Sequence, residues 1–225
     1  MAKPMEIPQD IVDIVIAEVG DDISSLKQCA LVSSSFLRPS RKQLFSRIVL
    51  RSDQNSQGFH QLLVRNPLIQ SFIKSITIFG DGSRSVNPKW MNGTSLVAIL
   101  RLPFCCLERF SIVMCPDYWN MIPWNWNSFS SELKDALSNI IYSSNIKTLS
   151  LEGINKLPNT FFLHVVHLPT LELHFLSPND FGYESSSSLT SMGVIGRCVW
   201  HLRKNDVRGT RFASSAYFFN SKHKR

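Results

Sequence analysis

The sequence of 225 residues contains little cysteine and no long apolar run. Its five cysteines are odd in number and follow no regular spacing, which is typical of a reducing compartment and not of a disulfide framework. No stretch approaches the roughly eighteen consecutive apolar residues of a membrane span, and the first residues lack a basic and then apolar leader. We therefore expect a protein of the cytosol, the nucleus or both, with no membrane partner.

The sequence also lacks the residue groups that catalytic and metal sites use. Cys105 and Cys106 are adjacent, without the two-residue gap that lets two thiolates reach one zinc ion. His164 and His167 lie three residues apart, but no acidic residue joins them and no glycine-framed nucleophile occurs. The segment GDGS at Gly80 is not followed by the Gly-Lys-Ser/Thr of a phosphate loop. We expect no enzyme activity, no metal and no cofactor.

An excess of charge of one sign is absent except near the carboxyl end. Residues 1–196 carry 16 basic and 16 acidic side chains, whereas residues 197–225 carry eight basic and one acidic, which accounts for the whole net charge of +7. A neutral body argues against a basic groove for nucleic acid. We expect residues 178–225 to be a serine-rich linker and a disordered basic tail, whose last four residues, KHKR, suit a nuclear address or a phosphate-binding patch.

Residues 7–50 carry the densest pattern in the chain. Pro8 suits the first turn of a helix, and apolar residues at helical spacing follow it on more than one face. Gly20 can end that helix, and Asp21 or Asp22, which follow it, can cap a second, short helix. Pro39 is predicted to open a third helix with two apolar residues at its end. Three short helices that lead into a strand are therefore predicted.

These residues resemble the F-box of fungal F-box-like proteins. The resemblance rests on the Ile-Pro pair at residue 7, the apolar first helix, the run LKQCALVSSSF and the closing RPSRKQLFSRIVL. It implies an F-box domain over residues 5–50 that docks a Skp-type adaptor and, through it, a cullin, so that a ubiquitin ligase gains a substrate receptor. The positions that match the docking motif are Ile7, Pro8, Ile11, Val15, Leu31, Val32, Leu44 and Phe45. Ile7 stands where leucine is commoner, and Phe36 where tryptophan is often found.

Two other interpretations of residues 7–50 stay open. An apolar stripe is usually internal core, although a three-helix unit of this size can bury only part of its aliphatic surface. Alternatively, a helix-turn-helix with a basic third helix, acting with the basic tail, would make a nucleic-acid-associated protein. The acidic first helix would face phosphates poorly, so nucleic acid is the less favoured partner.

A hexamer with apolar residues at positions one, four and six recurs along the rest of the chain. Its five copies begin at Phe45, Ile73, Leu107, Ile146 and Leu168, at intervals of 28, 34, 39 and 22 residues. The pattern is similar to the L-x-x-L-x-L arrangement of leucine-rich repeats, in which the last two apolar side chains point inward from a short parallel strand. Return helices are predicted at 96–102, at 132–142 and, shorter, between Pro158 and Pro169. Residues 52–58 are predicted as a polar loop, and residues 59–64 as the start of a helix that Pro67 interrupts.

Together these patterns predict an α/β fold. A three-helix F-box leads into a short, irregular, leucine-rich-repeat-like coil of parallel strands and helices over residues 51–177, and an ordinary α/β domain is the alternative. In F-box receptors such an array holds the substrate, so the resemblance implies an unknown protein substrate here.

Two long segments, 80–93 and the aromatic 115–128, follow predicted strands and should share the rim at the carboxyl ends of the sheet. Aromatic side chains lose little entropy on binding and are common in binding hot spots, although such a segment can also fold down as a lid over the sheet. The candidate substrate-binding residues are Trp90, Tyr118, Trp119, Trp124 and Trp126.

Overall fold

The computed structural model describes residues 7–80, 89–114, 124–143, 145–158, 161 and 168–175, and the backbone of residues 196–200 and 216–217. Within these residues the helices are α1 (Gln9–Val19), α2 (Ile23–Val32), α3 (Ser34–Leu44), α4 (Asp53–Arg65), α5 (Thr94–Leu100) and α6 (Ser131–Ile141). Short 3₁₀ helices cover Pro67–Phe72, Lys89–Asn92 and Trp126–Ser128. The strands are β1 (Arg47–Leu50), β2 (Ser75–Gly80), β3 (Arg109–Met114), β4 (Trp124–Asn125), β5 (Thr148–Glu152), β6 (Ile154–Asn155), β7 (Thr170–Phe175), β8 (Gly196–Trp200) and β9 (Ala216–Tyr217).

The first three helices pack on one another as a small unit with its own interior. Val12 and Ile16 of α1 and Leu26 of α2 form its buried cluster. Val19, Cys29, Phe36 and Leu44 are partly buried against that cluster. Helix α1 ends at Gly20, whose φ of 63° lies in the region that glycine adopts without steric cost.

Helix α3 includes Pro39 in its interior, so the prediction that Pro39 opens this helix is wrong. The helix begins after Ser33, whose backbone is extended. A proline in a helix removes the N–H that would bond the carbonyl four residues earlier, here that of Ser35. The side-chain amide of Gln9 in α1 donates to this carbonyl at 3.4 Å, which supplies the missing donor from a neighbouring helix.

Five parallel strands form the centre of the molecule, in the sequential order β1, β2, β3, β5 and β7. Positions four and six of the five hexamers lie in register across these strands and are buried. The two inward rows are Ile48, Ile76, Phe110, Leu149 and Leu171, and Leu50, Ile78, Ile112, Leu151 and Leu173. The predicted α/β fold with parallel strands is therefore confirmed.

The helices between the strands lie on one face of the sheet. Helix α4 packs on α5, and α5 packs on α6, so each return of the chain crosses on the same side. The main core fills the space between this helical layer and the inward rows of the strands, with Leu63, Leu96 and Leu137 as helical contributors. The opposite face of the sheet carries the intervening residues of each strand and has no helical layer among the described residues.

Helix α4 covers the segment that we predicted as a polar loop, so that prediction is wrong. The hydroxyl of Ser52 accepts from the N–H of Asn55 at 3.2 Å and caps the helix, and Asp53 places negative charge in the first turn. Helices α5 and α6 lie at the predicted places with shifts of one or two residues. Apart from Phe161, the predicted helix between Pro158 and Pro169 lies outside the described residues.

The sheet continues into the segment that we expected to be a linker and disordered tail. Strand β8 pairs with β7, and β9 pairs with β8, both antiparallel. The expectation is therefore wrong for these two strands, of which β8 contains the strand-forming pair Val199 and Trp200. In the part of the chain that the structure describes, no helix has the length and apolar character needed to cross a membrane.

Candidate functional site

The N-terminal helical unit leaves most of its large aliphatic side chains in solvent. Only three are buried in its own cluster. Seven are between 42% and 87% exposed: Ile7, Ile11, Ile14, Val15, Ile23, Leu31 and Val32. A group of exposed aliphatic side chains larger than the buried set of the same unit is typical of a docking surface.

The exposed residues of α1 fall on one face of the helix. Ile11, Ile14 and Val15 follow the helical spacing i, i+3 and i+4, whereas Val12 and Ile16 point to the buried cluster. Ile7, which precedes the helix, is also exposed. We call these four exposed residues the α1 stripe. Pro8 adjoins them, is exposed, and stands immediately before the first helical residue.

A second exposed group lies at the end of α2. Leu31 and Val32 are 87% and 70% exposed. They occupy the corner before α3, because Ser33 takes an extended conformation and the next helix begins one residue later. So short a connection leaves no room to fold either side chain back onto the unit. We call this pair the α2 tip.

The last two predicted docking residues have internal contacts. Leu44 is half-buried against the small cluster of the helical unit, and Phe45 is half-buried against the main core. They therefore join the helical unit to the sheet, and only part of each side chain is open to a partner. The motif alone could not predict this, because consecutive residues at a helix end can face two different cores.

Charged groups surround the helical unit without forming one patch of a single sign. Asp10, Asp13 and Glu18 are exposed on α1, and Arg38, Arg41 and Lys42 are exposed on α3. Arg47 of β1 forms an exposed ion pair with Asp21 and so links the unit to the first strand. The pKa of Asp22 is lowered because the hydroxyl and N–H of Ser25 and the N–H of Ser24 donate to its carboxylate at the start of α2.

The carboxyl edge of the sheet brings together the two segments that we predicted as a shared rim. The ring of Trp124 lies against Gly80, the last residue of β2. The side-chain amide of Asn92 donates to the carbonyl of Ser128 at 3.2 Å and accepts from the N–H of Ser130 at 2.8 Å. These contacts hold the ends of both segments at the same edge.

The tryptophans of this edge do not form the exposed surface that we expected. Trp124 and Trp126 are 2% and 7% exposed and belong to the main core, where Trp126 packs edge-on against Phe129 and Phe161. For these two residues the structure fits the alternative of a lid over the sheet and argues against a role in substrate binding, because Trp124 fills the space above Gly80 and Trp126 the space beside Phe129 and Phe161. Trp90 is half-buried, and its indole N–H contacts no acceptor among the described residues. Tyr118 and Trp119 lie outside the described residues.

The face of the sheet opposite the helices was not among the predicted binding sites. Position five of each hexamer forms a row across the five parallel strands: Val49, Thr77, Ser111, Ser150 and Glu172. At one end of this face the guanidinium of Arg51 lies 4.6 Å from the ring centroid of Phe79. The alternation of the hexamer already marks these residues as outward-facing, so the signal was present in the sequence.

Within the described residues no three side chains of His, Cys, Asp or Glu come together as metal ligands. Comparison of the chain with protein-family models, with curated proteins and with solved structures gives no match.

Proposed function

We propose that this chain is a substrate-receptor subunit of an SCF-type ubiquitin ligase. Its helical unit would dock a Skp-type adaptor, which connects it to a cullin, and the sheet would hold a protein substrate. The observation that supports this most directly is the exposure of the α1 stripe and the α2 tip. Five of their six residues are positions of the docking motif that the sequence resembles, and the sixth, Ile14, extends the stripe.

Energetics favour a partner for this surface. Burying one aliphatic side chain of this size contributes about 1.5–3 kcal/mol, so several exposed ones together can support a stable interface. The interior of the helical unit does not need them, because Val12, Ile16 and Leu26 already fill it. An obligate partner would remove from water an apolar surface that an isolated chain leaves exposed.

A second part of the proposal concerns substrate. The row at position five offers the hydroxyl and carboxylate groups of Thr77, Ser150 and Glu172 beside Arg51 and Phe79, whereas Ser111 in the middle of the row is 7% exposed. Such groups are suited to hydrogen bonds with a folded protein. We therefore propose that this face holds the substrate of a receptor that works in the cytosol or nucleus and that itself has no enzyme activity.

Replacement of Ile11 by aspartate tests the adaptor interface. Ile11 is 45% exposed in the middle of the α1 stripe, so Ile11→Asp should leave the fold intact and place an unpaired charge in the interface. A loss of at least about 2 kcal/mol, or roughly 30-fold in affinity for a purified Skp-type adaptor, is expected for a hot-spot position. Isothermal titration calorimetry measures it.

Leu68→Asp is the matched control. Leu68 is 80% exposed on a 3₁₀ helix outside the helical unit, so the same change there should leave adaptor affinity unaltered. Adaptor binding by Ile11→Asp that equals the unaltered chain would contradict the proposal. DNA binding that depends on Arg38 and Arg41 would favour the nucleic-acid alternative instead.

A further inference from the structure

Two neighbouring thiols stand together on the surface between α5 and β3. Cys105 and Cys106 are both exposed and both reduced, and their Sγ atoms lie 3.7 Å apart. They are far along the chain from the α1 stripe and the α2 tip, and neither the adaptor interface nor the polar row of the sheet uses them. This pair therefore has to be considered on its own.

The backbone that carries the thiols is anchored on both sides. Phe104 and Leu107, which flank the pair, are 7% and 2% exposed in the main core. The side-chain amide of Asn145 donates to the carbonyl of Cys105 at 2.9 Å and ties the turn to the segment before β5. Because the turn is fixed at three points, the two sulfurs are held near each other without a bond between them.

The geometry suits a shared ligand atom better than a disulfide. Consecutive Cα atoms lie about 3.8 Å apart across a trans peptide, below the roughly 4.4–6.8 Å usual for disulfide-linked residues, so a bond between adjacent cysteines is strained. Two sulfurs that bind one atom at about 2.3 Å are about 3.8 Å apart in tetrahedral geometry, and closer together around a pyramidal atom that keeps a lone pair. The observed separation of 3.7 Å therefore lets the two thiols reach one atom after a small approach, although adjacency in the sequence argued against a shared ion.

The surroundings favour a neutral ligand over a divalent cation. No third ligating side chain joins the pair among the described residues. The pKa of Cys106 is raised, chiefly by the hydrogen bond that it shares with Cys105 and then by desolvation. Glu108, the nearest carboxylate along the chain, is already paired with Lys147 at 2.9 Å. A ligand that needs only two sulfurs fits this site.

A groove of about 370 Å³ begins at the same turn. Cys105 forms part of its wall, which combines apolar residues (Leu100, Leu102, Pro103, Phe104, Leu107 and Ile140) with four polar ones (Arg101, Asn139, Ser143 and Asn145). A group attached to an atom held by the two sulfurs could lie in this groove against the apolar part of the wall. The groove therefore has room for a substituent that a bare ion would leave unfilled.

We propose that Cys105 and Cys106 form a dithiol site for organic compounds of trivalent arsenic. An arsenic(III) oxide carrying one organic group reacts with the two thiols. Both S–H bonds and the arsenic–oxygen bond break, two arsenic–sulfur bonds form, and the oxygen leaves with both protons as one water molecule. Arsenic stays trivalent and sulfur is not oxidised, so the step needs no oxidant.

Phenylarsine oxide and the full-length chain test the site. Mass spectrometry under native conditions should show one phenylarsenic group added with loss of one water, and 1,2-ethanedithiol should remove it where a monothiol does not. Cys105→Ser and Cys106→Ser should each weaken binding by about 100-fold or more, because one thiol loses the advantage of a second attachment. Circular dichroism checks that the variants are folded.

Three other single substitutions serve as controls. Cys29→Ser, Cys115→Ser and Cys198→Ser should each bind phenylarsine oxide as the unaltered chain does, since each leaves the pair intact. Undiminished binding by the folded double variant C105S/C106S would overturn the proposal. Loss of binding in Cys115→Ser or Cys198→Ser would also overturn it, because the second sulfur would then come from elsewhere in the chain.

Discussion

At the scale of single residues, the contact between Gly80 and Trp124 shows how one position shapes the carboxyl edge of the sheet. A Cβ atom at residue 80 would lie 2.4 Å from two carbons of the Trp124 ring. Glycine is therefore required for the ring to close over the end of β2. The buried ring in turn brings β4 against β6, with which it pairs in parallel.

Gly80→Ala should destabilise the protein. The added methyl group must displace a buried indole ring, and overpacking of this kind costs about 1–3 kcal/mol. Urea denaturation followed by tryptophan fluorescence measures the change. Gly58→Ala is the matched control: no atom lies within 4 Å of the new methyl group, and this position is inside α4, so a gain of about 0.5–1 kcal/mol is expected. A loss at both positions, or at neither, would contradict the role given to Gly80.

The same contact explains why the sequence left open whether Trp124 and Trp126 form an exposed rim or cover the sheet. Their neighbours in sequence are prolines and polar residues, which favour a surface loop. What buries the rings is space above Gly80 and beside Phe129 and Phe161, supplied by residues that are distant in sequence from one another. A pattern confined to one segment carries no information about such space. In contrast, Ile11 and Val15 could be placed from the sequence, because helical spacing alone separates them from Val12 and Ile16.

At the scale of elements, strands were easier to predict than helix boundaries. Each hexamer encodes its strand locally, because the side chains at positions four and six point to the same, inward face of the strand. The residues at these positions form two rows that are in register across the five strands. The first half of helix α4 was missed because it is polar and contains Gly58, whereas the second half was predicted as a helix from residue 59. Its formation depends on the Ser52 cap and on the burial of Leu63 beneath it, a tertiary contact. The start of α3 was missed because Gln9, from another helix, compensates for Pro39.

Helix α2 should show a pH-dependent contribution from its cap. The pKa of Asp22 is lowered by donors at the helix start, so the carboxylate stabilises the folded state above the unfolded-state pKa of about 3.9 and loses this effect as the pH falls through the lower folded-state value. Asp22→Ala should therefore lower the thermal midpoint at pH 7, and the difference from the unaltered chain should shrink at pH 3. Calorimetry at both pH values measures it. A difference that grows on acidification would contradict this account of the cap.

At the scale of the whole molecule, the chain is a one-directional coil with different structures at its two ends. The helical unit precedes β1, at one edge of the sheet, and joins it through Phe45 and the Asp21–Arg47 pair. At the other end of the parallel array β7 is followed by antiparallel β8 and β9. An open strand edge invites association with other chains, so an added antiparallel strand protects the last parallel one. The sequence did not predict this end because β8 is a short run between polar segments without a repeated spacing.

Removal of residues 196–225 tests whether the end of the sheet is part of the fold. Strand β8 pairs with five residues of β7, so its loss should cost at least about 2 kcal/mol of backbone hydrogen bonding and lower the thermal midpoint by about 4–8 °C. It should also promote aggregation, because the edge of β7 becomes free.

The matched truncation removes only residues 219–225, which takes away the basic KHKR ending and keeps both β8 and β9. Since exposed charges contribute little to folding, this shorter truncation should leave the midpoint unchanged. Differential scanning calorimetry with light scattering distinguishes the two truncations. If both truncated proteins have the same thermal midpoint as the full chain, β8 and β9 do not stabilise the sheet. Strand β7 can then remain folded as an open edge.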